Sequence, residues 1–342
     1  GGGGGGGGGM NQKRIRSNFW RFGESGGAGP SRPPPRALLV GAAAVAVVAT
    51  RSARRQRMGG VWAAEDQRWA WAGAETAPVS IVIPALNEEQ AIGATLRRIR
   101  AMDPPPEEVI VAVGPSTDAT ADIAKALGAK TVSSKRGRAV QMNAGAKSAK
   151  GEVLVFLHAD THMPSDGLRA VRRTLADRRV VCAGFVSLLT TADSTMWATS
   201  FHNVIKTFYA PLIFRPRSFL KGLRICFGDQ AIFCRREDFA RLGGFDERLS
   251  IMEDADLCMR LHYQGVPAGG WTHPGRVRLV NRCIETSGRR IAEIGEFQAL
   301  FLHFYIAMKW YLGCSHEQLD LITQKMYRDV RESTATKASK AS

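Results

Sequence analysis

Three carboxylates open the segment LSIMEDADLCMRL, residues 249–261: Glu253, Asp254 and Asp256 stand where an apolar helical pattern begins. Acids placed there can cap a helix, bind a metal ion or accept a proton. Ser250 and Glu253 match the S-x-x-E capping box, which leaves Asp254 in the first turn and Leu257 and Leu261 on the buried face. Capping and proton acceptance are compatible, because a helix N-terminus stabilises the carboxylate anion and a base must be unprotonated near neutral pH. Successive helical residues differ by about 100°, so the three acids point in different directions and cannot all face one hydroxyl.

A second carboxylate, Asp160, follows the apolar run in GEVLVFLHADTHMP. Mg²⁺ and Mn²⁺ prefer oxygen ligands and often take one or two carboxylates plus substrate phosphates, so one Asp suffices beside a bound diphosphate. The equal alternative is that Asp160 and Thr161 cap a turn. GPSTDAT puts Ser116, Thr117 and Asp118 directly before a helix, an N-cap signature whose positive terminus also suits phosphate or ribose. SKRGR brings Lys135, Arg136 and Arg138 to a loop, either as a diphosphate clamp or as a solvated basic turn.

Short apolar runs alternating with helical patterns position these groups. VSIVIPAL, EEVIVAVG, AKTVSS, GEVLVFL and GDQAIFCRRE read as strands; EEQAIGATLRRIRAM, TDATADIAKALG and RAVQMNAGAKSA read as helices. Strand–helix alternation with short connections predicts an α/β fold with a mainly parallel, Rossmann-like sheet and right-handed crossovers. Ligands of such sheets bind at the carboxyl ends of the strands, where NEE, GPSTDAT, SKRGR and HADTH fall. The stretch 192–220 is aromatic and basic and has no strong single period. The C-terminal part reads as two helices, the first very apolar; its core, 297–313, is about 17 residues long and holds His303 and Lys309, which are costly in hydrocarbon. It is expected to lie on the domain or at a membrane surface, close to the acceptor site.

In their order along the chain, VSIVIPALNEE, EEVIVAVGPSTDAT, RGRAVQMNAGAKSAKGEVLVFLHADT, FGDQAIFCRREDFARLGGFDE and IMEDADLCMRL resemble the family 2 glycosyltransferases with the GT-A fold. The resemblance covers roughly residues 78 to 320. The combination of RGR, HADT, GDQ, MED and TSGRR is similar to a bacterial and plastid-type subgroup. The resemblance implies a nucleotide-diphosphate sugar donor bound by Pro84, Asn87 and Glu88, with Ser116, Arg136 and Arg138 beside it. It implies Mg²⁺ or Mn²⁺ at Asp160, where HAD stands for the family's D-x-D and His158 replaces the earlier acid. The family's ED pair falls on Glu253 and Asp254, with Asp254 as the catalytic base, while Asp229, Arg289 and Arg290 lie near acceptor and diphosphate. Val113 stands where the family has an Asp that contacts the nucleotide base, and Pro115 replaces a Gly. The alternative reading is therefore a weak or inactive nucleotide-sugar-binding protein of the same fold. The acceptor, a lipid or a small molecule, is not identified by the motifs.

The chain of 342 residues has a formal charge of +16, of which +7 falls in residues 1–77. That uneven placement and the lack of an aromatic RNA-binding signature argue against a nucleic-acid partner. Residues 1–77 begin with nine glycines and read as a disordered basic leader, with a 14-residue apolar run at 37–50 that is too short to span a bilayer comfortably. An Arg-rich, acid-poor leader predicts an organelle transit peptide, with the chloroplast as destination; a membrane-associated or cytoplasmic protein is the alternative. The domain plan is thus a leader at 1–77, a catalytic domain at 78–290 and C-terminal helices at 291–330. The six cysteines show no C-x-x-C spacing and read as buried thiols rather than a zinc site or disulfide framework.

Overall fold

The computed structural model describes residues 68–191 and 194–322. Eight strands form one sheet: β1 (Val79–Ala85), β2 (Glu108–Val113), β3 (Lys130–Ser133), β4 (Val153–Phe156), β5 (Thr161–His162), β6 (Val180–Thr190), β7 (Phe233–Arg235) and β10 (Arg276–Ser287). Two short strands, β8 (Val266–Ala268) and β9 (Trp271–His273), make a separate ribbon. The order across the sheet is β3-β2-β1-β4-β7-β6-β10-β5. The first four strands are parallel, as the strand–helix alternation predicts, whereas β7 runs antiparallel to both β4 and β6.

Helices α1 (Glu89–Arg100), α2 (Thr120–Ala126) and α3 (Arg138–Lys147) are the crossovers of the parallel half. Along α1, Ile92, Leu96 and Ile99 are buried at helical spacing against a sheet whose central strands are buried on both faces. The helices that follow are α4 (Gly167–Leu175), α5 (Trp197–Phe214), α6 (Pro216–Leu220), α7 (Arg236–Leu242), α8 (Glu253–Gln264), α9 (Arg289–Ile294) and α10 (Glu296–Tyr311). The aperiodic stretch 192–220 thus folds mainly as α5 and α6. Among the described residues, no helix is long and apolar enough to cross a membrane.

Several expectations are corrected. GDQAIFCRRE is a strand only over Phe233–Arg235; Gly228–Gln230 form a single 3₁₀ turn that ends in left-handed Ala231. The long C-terminal helix breaks at Gly295, whose φ of 92° ends α9 before α10 begins. The capping box at Ser250 and Glu253 does not form: Met252 is the N-cap residue, in a left-handed conformation, and the Ser250 hydroxyl instead bonds the Asp320 carboxylate. Asp256, in the same first turn, is half-buried, and Arg260 one turn on binds it at 2.5 Å.

Residues 68–77, placed in the leader by the sequence, pack on the domain. Trp69 is buried against the His273 ring at 5.2 Å, and the Arg235 guanidinium sits over the Trp71 ring. The rest of the leader, including the run 37–50 and its targeting role, lies outside the described residues, as does the chain beyond residue 322. Cys182, Cys226, Cys234 and Cys258 are buried free thiols, whereas Cys283 is exposed.

Candidate active site

A cleft of about 650 Å³ opens over the carboxyl ends of β1 and β4. Its walls come from the loop before α3, the 3₁₀ turn, the first turn of α8, and facing residues of α5 and α10. Side chains from interior elements fix that geometry. The Gln141 amide on α3 donates to the carbonyls of Ala85 (2.7 Å) and Ala112 (3.0 Å), locking the ends of β1 and β2 together. Asn143 bonds the Phe245 backbone in both directions, at 3.0 and 2.9 Å, and so ties α3 to the turn that leads into α8.

Of the residues singled out in the sequence, the structure gathers Pro84, Glu88, Arg136, Arg138, His158, Asp160, Asp229, Glu253 and Asp254 on the cleft wall. Asn87 and Ser116 do not line it. They join the loops after β1 and β2: the Asn87 N–H donates to the Ser116 hydroxyl at 3.1 Å, and the Asn87 side-chain oxygen accepts from Thr117 N–H at 2.9 Å. Asn87 has a φ of 56°, a conformation that Asn tolerates better than most residues. Arg289 is exposed and does not itself line the cleft, although Ser287 and Ile291 on either side of it do; its guanidinium is 3.5 Å from the Gln90 amide oxygen. The Arg290 side chain lies outside the described residues.

The same two loops share one cap. Asp118 accepts from Thr120 N–H at the start of α2 and from Glu89 N–H at the start of α1, both at 3.1 Å. Glu89 in turn accepts from Ala119 N–H at 3.1 Å. Asp118, though the N-cap residues are Glu88 and Ala119, therefore satisfies a first-turn N–H of two helices at once.

Asp254 and Glu253 are both buried, at 5% and 1% exposure, and Arg138 pairs with Glu253 at 3.0 Å. Burial drives the Asp254 carboxyl well above the usual carboxylate range; the Glu253 charge adds to the rise, while Arg138 and the Gly228 N–H oppose it. Gly228 lies where these groups converge: a Cβ there would fall 2.5 Å from His158 Nε2 and 2.9 Å from Asp254 Oδ2. Only a residue without a side chain lets the 3₁₀ turn approach both.

Across the cleft, α5 supplies residues that the motifs did not single out. Asn203 Nδ2 and the Ser187 hydroxyl both donate to Asp229 Oδ2, the latter at 3.1 Å. The Lys206 ammonium stands 4.0 Å from the centroid of the Phe227 ring. Burial lowers its pKa, against the pull of the Asp229 and Asp254 carboxylates. His202 and His303 are each held down to about 4, first by burial and then by the Lys206 charge, so both are neutral at pH 7. The only sequence signal for this wall was the scatter of polar residues through an apolar, aperiodic stretch.

Among the described residues, no group of three or more His, Cys, Asp or Glu side chains could hold a metal ion. Asp160 is one of five carboxylates on the cleft wall, with Glu88, Asp229, Glu253 and Asp254, and it does not cluster with two others. That donor set fits Mg²⁺ or Mn²⁺ only when donor phosphates complete the coordination.

Residues 80–243, just under half of the chain, match the family model described as glycosyl transferase family 2. Mannosyltransferase PcManGT from Pyrobaculum calidifontis, solved with GDP-Man and Mn²⁺, is 18% identical, with 90% of this chain and 86% of that chain covered and a TM-score of 0.51. The chain has a GT-A fold. Glucosyl-3-phosphoglycerate synthase from Mycobacterium tuberculosis, solved with Mn²⁺, UDP and glucosyl-3-phosphoglycerate, is 18% identical over 71% of this chain and 83% of that one, with a TM-score of 0.47. No curated protein matches the chain in sequence.

Proposed function

We propose that the protein is a family 2 glycosyltransferase that moves a sugar from a nucleotide-diphosphate sugar to an acceptor hydroxyl, with inversion and with Mg²⁺ or Mn²⁺. The observation that carries this reading is the placement of Asp254: buried, raised in pKa, and on the same cleft wall as Asp160 at the end of β4. A carboxylate whose pKa is raised above the ordinary carboxylate range is the stronger base, provided that it is ionised. Asp254 takes the proton of the acceptor hydroxyl as that oxygen bonds the sugar carbon, and the bond from that carbon to the diphosphate breaks on the opposite side. Arg136 and Arg138 hold the diphosphate, and Glu253 orients Arg138. Asp160 together with the donor phosphates would hold the metal ion, which when bound would supply Lewis-acid neutralisation of the leaving charge.

A panel of nucleotide sugars tests the reading by thermal shift and by turnover, each with Mn²⁺ present. A bound donor raises the melting temperature by mass action. No shift with any member would remove the transferase reading. Val113, buried at the end of β2 where the family has an Asp, favours a second reading of binding without turnover. That outcome would show as a shift with no product from any acceptor.

A further inference from the structure

Helix α10 is apolar on two opposite faces. Ala299, Leu302 and Ile306 are buried, and Ala299, His303 and Ile306 line the cleft. On the other side Phe297, Phe301 and Phe304 are 85%, 66% and 44% exposed. At about 100° per residue these three fall within an arc of roughly 60°, a single aromatic stripe rather than scattered apolar residues.

A second exposed apolar group lies where the end of α5 meets the end of α10. Phe214 at the end of α5 stacks on Tyr311 at the end of α10, 4.5 Å apart and 10° from parallel. Beside that stack Leu212, Ile213 and Leu220 are exposed at 48%, 62% and 83%. Large apolar side chains exposed in groups on adjoining elements mark a surface built to be covered.

The charge beside this patch selects the cover. From Ser194 to Gly228 the chain has five Lys and Arg and not one Asp or Glu. Arg215, Arg217 and Lys221 are exposed at the patch edge. Aromatic and aliphatic side chains flanked by basic residues match the headgroup boundary of an anionic bilayer, where the rings enter the acyl edge and the cations meet phosphate. At 1.5 Å per residue α10 is about 24 Å long, shorter than a hydrocarbon core, which fits lying in the interface and not crossing it.

We propose that the face made by α10, the end of α5 and α6 docks this protein on an anionic lipid surface. Docking does not depend on the transferase chemistry, and its test reads binding alone. The full chain is floated with vesicles of phosphatidylcholine, with or without phosphatidylglycerol. It is expected to bind the mixed vesicles far better, and less so as salt rises. The Phe297→Ser/Phe301→Ser protein should lose about tenfold or more in partitioning, and Arg215→Gln/Arg217→Gln should lose the preference for phosphatidylglycerol. The basic leader is present in parent and variants alike, so the difference between them reports this face.

Equal binding by the Phe double variant overturns the proposal. So does a change from dimer to monomer by light scattering with vesicle binding unchanged, which would assign the face to a second copy of the chain. If the double variant does not fold, Phe304→Trp decides: brominated lipid should quench the added fluorescence, and no quenching overturns the proposal.

Discussion

The Arg138 guanidinium lies 3.0 Å from the Glu253 carboxylate and so joins the loop before α3 to the first turn of α8, one residue from Asp254. The Arg138 charge is also the larger of the two influences, with the Gly228 N–H, that hold the Asp254 pKa down against burial and Glu253. Arg138→Gln should therefore move the acid limb of kcat/KM to higher pH, because a base with a higher pKa is ionised only at higher pH. It also leaves a buried Glu253 unpaired. With Arg138 itself 40% exposed, the loss is on the order of 1–3 kcal/mol, below that of a fully buried pair. A pH–rate profile and a urea melt check the two parts.

Asp254→Asn should cost transfer roughly 10²-fold or more while donor binding persists. Its stability should move the other way. With the folded pKa raised above the unfolded value, the folded state binds the proton more tightly, so this carboxyl lowers stability as pH rises from the ordinary carboxylate range through its raised pKa. At pH 7 the Asn protein should melt at the same temperature or higher, and the difference should vanish in acid. Melting curves at both pH values decide it.

Gly228→Ala places a methyl against His158 and Asp254 at distances no Cβ adopts. Either the turn or these two side chains must shift, and a displacement on the order of 1 Å in a positioned base costs about 10²-fold in rate. Steady-state kinetics should show the fall in kcat/KM, together with a lowered melting temperature.

Arg235 is buried, paired with Asp238 at 3.0 Å, and donates to the carbonyls of Leu175, Arg178 and Val180. Arg235→Ala leaves a buried carboxylate and three carbonyls without these donors, a loss of about 3–5 kcal/mol by urea titration. The residue lies away from the cleft wall, so the folded fraction should bind donor with unchanged affinity.

The parallel half of the sheet was legible because β1, β2 and β4 are apolar runs bounded by polar strand ends, and those ends are where the cleft lies. The helix start at Glu253 was legible but its cap was not. Left-handed Met252 is set by the tertiary placement of the preceding turn, which Asn143 holds from another helix. The α5 wall escaped for a related reason: Asn203 bonds Asp229, Lys206 stands over the Phe227 ring and His202 bonds Tyr209 of the same helix, and these polar groups on the cleft face erase the apolar period a surface helix would show. Trp69 escaped because one buried aromatic beside a polar leader makes no pattern.

The shared cap at Asp118 has a consequence for redesign. Because Asp118 and Glu89 each hold the other's helix start, the loops after β1 and β2 are one module rather than two. A chimera whose imported loop lacks the matching acid would leave a backbone donor at the start of the other helix without its partner. Exchange of nucleotide preference between such proteins should therefore succeed only when residues 86–90 and 114–120 travel together.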